Sequence, residues 1–202
     1  MVRSRSKPLL ILLVKAPRPG RVKSRLSKQI GSSEALRFYR VTTARLIRSL
    51  ARDPRWQLAI AVTPDADRHA RFWPAGVPRF PQGSGNLGAR MVRLLSRSSR
   101  HPVVVIGSDI PGVQPAHIAD ALRQLTGNNL VLGPAPDGGY WLIARGAGAR
   151  PFKSGIFDNV RWSTESAMGD TVAVWGGPVG FAPQLADVDT IADYRKWRAN
   201  AG

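Results

Sequence analysis

Residues 9–26, LLILLVKAPRPGRVKSRL, set six apolar side chains ahead of a segment that carries Lys15, Arg18, Arg21, Lys23 and Arg25 and no carboxylate. A short run of Leu, Ile and Val is the pattern of a strand buried on both faces, as in a parallel sheet. Two more runs of this kind follow, LAIAV at 58–62 and VVVIG at 103–107. Between the first two, residues 33–53 place Leu36, Tyr39, Thr43, Leu46, Ile47 and Leu50 at helical spacing, and PAHIADALRQL at 115–125 gives a helix after the third. Strands alternating with helices predict an α/β sandwich.

The second half reads differently. NLVLGPAPDGGYWLIA, residues 129–144, predicts two strands around a turn at Pro136-Asp137-Gly138-Gly139 rather than a crossover unit. A loop at 157–162 then leads to a helix starting near Ser163 or Thr164, and the last helix opens with the cap pattern Thr190-x-x-Asp193. FWPAGVPRFP at 72–81 is an irregular connection with Phe72 and Trp73 in the core. No repeat or low-complexity linker interrupts the chain, so one domain over 1–202 is the economical reading.

Composition narrows the chemistry. With no Cys, disulfides, thiolate metal sites and a cysteine nucleophile are excluded, and His69, His101 and His117 lack zinc-ligand spacing. The first apolar run stops at Lys15 with no small-residue cleavage site after it, so it reads as a first strand in a cytoplasmic protein, not a signal peptide. No stretch approaches the roughly 20 apolar residues of a membrane span. The net charge is +17, and residues 1–55 hold 15 Lys and Arg against only Glu34 and Asp53, so this quarter either meets something anionic or serves solubility.

In doubly wound sheets the loop after the first strand often holds phosphate. The segment 15–25 stands there without the spacing of a P-loop or of a dinucleotide fingerprint. Pro17, Pro19 and Gly20 turn and stiffen it, and its cations are ready for a phosphate; a solvated basic loop is the alternative. Four of the 13 acids stand at strand ends or in the loops that follow: Asp109, Asp137, Asp187 and Asp189. A cationic loop with such carboxylates describes a metal–nucleotide site, since Mg2+ is commonly held by one or two carboxylates together with substrate phosphates. Asp137 also suits a tight turn and Asp189 a helix cap, whereas Asp109 ends an all-apolar strand and needs a positive partner. Gly83, Gly85 and Gly88 precede an amphipathic helix with Arg90 and Arg93, and let backbone approach a flat ligand.

Taken together and in order, KAPRPGRVKSRL, QGSGNLGARM, IGSDIPGV, LGPAPDGGYWLI, VRWSTE and LADVDTIADY resemble a bacterial family of glycosyltransferase-A-fold proteins of the nucleotide-diphospho-sugar transferase type. The family is similar to the molybdenum-cofactor and phospholactate guanylyltransferases. The resemblance implies a three-layer α/β/α sandwich with a mostly parallel, mixed sheet. It implies a nucleotide whose phosphates meet Lys15, Arg18, Gly20, Lys23 and Arg25 and whose flat part meets Gly85 and Gly88. Mg2+ or Mn2+ would sit at Asp109 with Asp187 or Asp189, and Asp109 and Asp137 would be the catalytic carboxylates. Gly138, Gly139, Tyr140 and Trp162 would line an acceptor pocket. The chain departs from the pattern at Asn86 and Ala89, where the family carries Asp and Glu, and at Ser24 for Thr.

The expected activity is metal-dependent transfer from a nucleotide-activated donor: glycosyl transfer from a nucleotide sugar first, nucleotidyl transfer from a nucleoside triphosphate second. The rival of another class is a basic nucleic-acid-binding protein, opposed by the lack of interleaved aromatics and of any helix-turn-helix, RNA-recognition or KH signature.

Overall fold

The computed structural model describes residues 7–149, 151–153 and 155–200. Arg3 and Arg5, part of the basic first quarter, and the two ends of the 1–202 unit lie outside them. The strands are β1 (Leu9–Lys15), β2 (Gln57–Thr63), β3 (Arg79–Pro81), β4 (Val103–Gly107), β5 (Leu130–Pro134), β6 (Tyr140–Arg145) and β7 (Val179–Phe181). The helices are α1 (Ser24–Ile30), α2 (Ser32–Ala51), α3 (Leu87–Leu95), α4 (Pro115–Gln124), α5 (Ala167–Trp175) and α6 (Ile191–Asn200).

All seven strands join one sheet in the order β3-β2-β1-β4-β6-β5-β7. β1 pairs in parallel with both β2 and β4. β6 runs against β4 and β5, which closes the expected hairpin across residues 134–140 and makes the sheet mixed. The three apolar runs therefore form the centre of the sheet, where both faces are covered and no polar alternation is tolerated.

Alternate residues of each strand serve opposite layers. Leu10, Leu12, Ile60, Val104 and Ile106 pack with Leu46, Ile47 and Leu50 of α2 and Ile118 and Ala121 of α4. Ile11, Ala61, Val103, Val105 and Ile143 face the other way, onto Met91, Leu94 and Leu95 of α3 and Ala167 of α5. The result is a three-layer α/β/α sandwich. After β1 the chain crosses by α2 to β2 on one side, and after β3 it returns by α3 on the other layer to β4. The carboxyl ends of β1 and β4 thus flank a switch point, where such sheets open a crevice. A smaller cluster of Leu26, Phe38, Val188 and Tyr194 ties α1 and α6 to α2 beside that crevice.

Four details differ from the sequence expectations. The helix placed at Ser163 or Thr164 starts at Ala167, because Ser163 takes a left-handed φ of 62° and the Thr164 hydroxyl donates back to the Arg161 carbonyl, which makes a turn. Phe72 is 40% exposed, so only Trp73 of that pair joins the core. The basic loop is not loop throughout, since α1 begins at Ser24. Strands β3 and β7, three residues each, carry too few side chains for a pattern to register. The capping box at Thr190 is present: the Asp193 carboxylate accepts from Thr190 N at 2.8 Å, and the Thr190 hydroxyl accepts from Asp193 N.

Candidate active site

Two cavities open at the carboxyl ends of β1 and β4. The first, about 450 Å³, is lined by Lys15, Lys23 and Arg25 of the basic segment, by Arg90 of α3, and by Ser108, Asp109 and Asp189. The second, about 270 Å³, is walled by Met91, Ile110, Tyr140, Trp141 and Trp162 and carries Asp109, Asp137 and Asp187. Leu13, Leu87, Gly107, Asp109 and Ser163 belong to both, so Asp109 stands where a basic chamber meets a largely apolar one.

Lys23 organises the first cavity. Its backbone is left-handed, φ 49° and ψ 48°, a conformation few side chains adopt without compensation. Its side chain is only 3% exposed and ends 2.9 Å from Asp189 Oδ1 and 3.4 Å from Asp109 Oδ1. The positive partner that the sequence demanded for Asp109 is therefore Lys23. A hydrogen bond from Val188 N to the Asp109 carbonyl brings the 187–189 segment against the end of β4. Val188 is buried in the small cluster, and its two neighbours part: Asp189 lines the basic cavity and Asp187 the apolar one.

The carboxylates crowd one another. Burial, followed by repulsion from Asp189, pushes the Asp187 carboxyl up to about 6, and Asp137 and Asp109 add to it against the pull of Lys23. The folded chain thus holds this proton more tightly than the unfolded one, and stability falls as pH climbs from about 4 through about 6. Asp187→Asn is expected to match the wild type near pH 4 and to exceed it at pH 8 by about 1 kcal/mol, a figure reduced for the carboxyl's partial exposure. Urea unfolding at the two pH values checks this; equal stability at pH 8 would show that the repulsion is relieved in another way.

Several framing residues escaped the sequence reading. The Tyr39 hydroxyl accepts from Lys15 N at 2.9 Å, donates to Lys15 O at 3.0 Å and lies 3.4 Å from Ser108 Oγ, which fixes the end of β1; burial pushes it up to about 12. Gln82, also buried, donates to the carbonyls of Val14 and Ala61 and so holds β1 and β2 together behind the basic segment. Arg90 reaches Gln82 Oε1 at 3.4 Å. Tyr39 and Gln82 lie far in sequence from what they touch, and nothing local marks them.

The expected phosphate ligands divide. Lys15, Lys23 and Arg25 line the basic cavity, whereas Arg18 turns away to Asp67, with its Nε 3.0 Å from Oδ2. Gly20, at φ 68°, is an exposed turn outside the cavity wall. Gly85, at φ 95°, also lies outside it and instead offers its carbonyl to Arg90. Gly88 is buried, and a Cβ there would lie 3.0 Å from the Phe157 carbonyl and 3.1 Å from Trp162 Nε1, so its small size serves packing. Asn86, a departure from the family pattern, caps α3 by accepting from Ala89 N at 2.9 Å.

The metal was expected at Asp109 with Asp187 or Asp189, and these three do not close into one cluster: among the described residues no three His, Cys, Asp or Glu gather closely enough to hold an ion. Lys23 and Arg25 engage Asp189, Lys23 also stands 3.4 Å from Asp109, and Asp109 and Asp187 face one cavity. Asp137 lines the same cavity, and burial first and neighbouring carboxylates second raise Asp187, so this pair suits a divalent cation that also takes oxygens from a substrate.

On the acceptor side, Asp137 Oδ1 accepts from Gly139 N at 3.0 Å, the turn role weighed for it, while the residue still lines the cavity. Tyr140 is raised well above its usual range by burial and lies 3.3 Å from the Thr171 hydroxyl. Trp162 packs edge-on to Tyr140 and Phe157, and its indole N–H is buried without a hydrogen-bond partner among the described residues. Gly138 lies outside the wall and has a different duty: at φ 81° a Cβ would fall 2.1 Å from the Glu165 carbonyl oxygen. Gly138→Ala is expected to cost about 2–4 kcal/mol by forcing the 163–166 segment off the turn, read as a drop in the urea midpoint. An unchanged midpoint would mean that this segment is free to move.

A family model described as an uncharacterized protein conserved in bacteria, DUF2064, matches residues 46–164. No curated protein matches the sequence. Among solved structures, a candidate nucleotide-diphospho-sugar transferase from Desulfovibrio desulfuricans G20 is 28% identical with a TM-score of 0.85, covering 96% of this chain and 88% of its own. The 4-diphosphocytidyl-2C-methyl-D-erythritol synthase of Anaerococcus prevotii DSM 20548 shares the fold at 11% identity and a TM-score of 0.59, over 97% of this chain and 96% of that one. Rv0371c of Mycobacterium tuberculosis H37Rv, solved as a manganese complex, does so at 18% identity and a TM-score of 0.51, over 95% and 97%. The architecture is that of the nucleotide-diphospho-sugar transferases. No described helix is long and apolar enough to cross a membrane.

Proposed function

The chain belongs to the DUF2064 family, and we propose that this member is a nucleotide-dependent transferase acting as one domain, with the donor phosphates in the basic cavity and the acceptor in the apolar one. The observation that carries this reading is the position of Asp109 in the shared wall of the two cavities, beside the buried ammonium of Lys23. The neighbours named as a nucleotide-diphospho-sugar transferase and as a diphosphocytidyl-transferring synthase support it.

Lys23, Lys15 and Arg25 bind and neutralise the donor phosphates, and Arg90 closes the chamber from α3. Asp109 and Asp187 are the residues that would hold Mg2+ or Mn2+, which when bound offsets charge developing on the leaving phosphate. In glycosyl transfer an acceptor hydroxyl attacks the anomeric carbon, the bond from that carbon to the diphosphate oxygen breaks, and the hydroxyl proton passes to Asp137. Tyr140 and Trp162 keep water from the acceptor side. Most of the rate enhancement is then positioning and fixed charge.

Nucleotidyl transfer is the second reading, favoured by the number of cations around the basic cavity, which suits a triphosphate. The two part by product: glycosyl transfer releases a nucleoside diphosphate or monophosphate, nucleotidyl transfer releases pyrophosphate. Calorimetry with nucleoside triphosphates and nucleotide sugars, with and without Mg2+ or Mn2+, tests the shared premise. Metal-dependent binding of one donor class supports it, and no binding by any nucleotide overturns it.

A further inference from the structure

A third cavity, about 520 Å³, lies on the α2 side of the sheet and plays no part in the reading above. Its floor is Ile47 and Trp73, both buried, and Pro17, Ala44, Ala51 and Val77 continue an apolar wall. Phe72, one of few large apolar side chains left exposed, belongs to the same wall. Alanine at 44 and 51, two turns apart on one face of α2, is what leaves the space open.

Arg40, Arg48 and Arg52 also line this cavity, and no Asp or Glu does. Arg18, Arg37, Arg55, Arg123 and Arg161 each close on a carboxylate. Arg40, Arg48 and Arg52 have no such partner among the described residues. The Thr43 hydroxyl, buried beside Tyr39, adds a polar atom to the same wall. An apolar cleft rimmed by three unpaired guanidiniums complements a molecule with an apolar body and an anionic head.

We propose that this cavity is a binding site for a small amphipathic phosphate: an alkyl or prenyl chain lies between Ala44, Ala51, Trp73 and Val77, and the phosphate sits among Arg40, Arg48 and Arg52. Phosphate is chosen because a doubly charged head engages several guanidinium forks at once. The site shares Tyr39 with the basic cavity, and Pro17 comes from the basic loop, so its occupant touches the back of the donor site. The proposal does not rest on the transferase reading.

The test is calorimetry of the full chain with decyl phosphate below its micelle concentration, beside decanol and inorganic phosphate. Saturable one-to-one binding of decyl phosphate is expected, with each half-molecule at least about tenfold weaker, the effect of losing one charge-assisted contact. Ala44→Trp, which fills the cleft, and the pair Arg48→Ala with Arg52→Ala each lose about tenfold, while Lys23→Met in the donor cavity leaves binding unchanged. Should Ala44→Trp unfold early, the arginine pair, exposed and unbonded, carries the test. Inorganic phosphate binding as well as decyl phosphate, or decyl phosphate indifferent to both variants, overturns the proposal. Vesicles of phosphatidylcholine with phosphatidic acid separate the sources: binding of monomer and vesicle alike supports a membrane lipid, monomer alone supports a free amphiphile, and vesicle alone overturns the site.

Discussion

Lys23→Met is expected to weaken nucleotide binding by about 10- to 100-fold, the effect of removing one buried, charge-assisted phosphate contact. Methionine keeps the length and volume of the side chain, and only the charge goes. The same variant leaves Asp109, Asp189 and Asp187 without the ammonium that lies between the first two and draws on the third. Asp187, which the ammonium draws down, is pushed higher still in the variant, so the stability deficit is small near pH 4 and grows as pH rises through about 6 and this carboxyl ionises. At pH 8 it is expected to be about 1–3 kcal/mol, below the cost of breaking a wholly buried pair, because Asp109 and Asp189 still reach water. Nucleotide calorimetry and urea unfolding at pH 4.5 and pH 8 read the two effects separately. Unchanged affinity would remove Lys23 from the phosphate site, and a deficit equal at both pH values would assign the loss to packing rather than charge.

Asp109→Asn gives the largest expected effect on turnover. The carboxylate is half exposed, Lys23 retains Asp189, and the backbone bond to Val188 uses the Asp109 carbonyl, so the fold is expected to survive with little change in its unfolding midpoint. Turnover of the donor identified by calorimetry is expected to fall by about 10²–10³, the scale seen when one preorganised electrostatic group is removed from a transfer site. Asp187→Asn, across the cavity, lowers turnover as well but stabilises the protein above pH 6. The two carboxylates are thus separable by pairing rate with stability. Wild-type turnover in Asp109→Asn would move the chemistry away from the wall between the two cavities.

How much of this was legible in the sequence follows from how local each cause is. The central strands announce themselves because burial on both faces forbids polar residues over five or six positions. The Asp137 turn and the Thr190 cap were readable because the bonds that make them span two or three residues. The short strands β3 and β7 were not, since three residues cannot show a period. The pairing of Lys23 with Asp189 spans 166 positions, and that of Arg18 with Asp67 spans 49. Charge alone therefore placed both cations at the phosphate site, and the fold spends Arg18 elsewhere. Gly88 misled for a related reason: a glycine before a helix invites a ligand, while the space it leaves is taken by Phe157 and Trp162 from a distant loop.

The tripeptide Asp187-Val188-Asp189 sends its two carboxylates into different cavities because the side chain between them is anchored in the core. That makes the span from Ala182, which bonds to Leu132, up to Val188 a matter of parity. One residue more or fewer there would drive an aspartate toward Leu26 and Phe38 and put valine into the basic cavity on insertion or the apolar one on deletion, exchanging the roles in the segment at a stroke. The length of this connection is therefore quantised, and homologous chains that differ by one residue at 183–187 would have to recover the register with a second change of length close by.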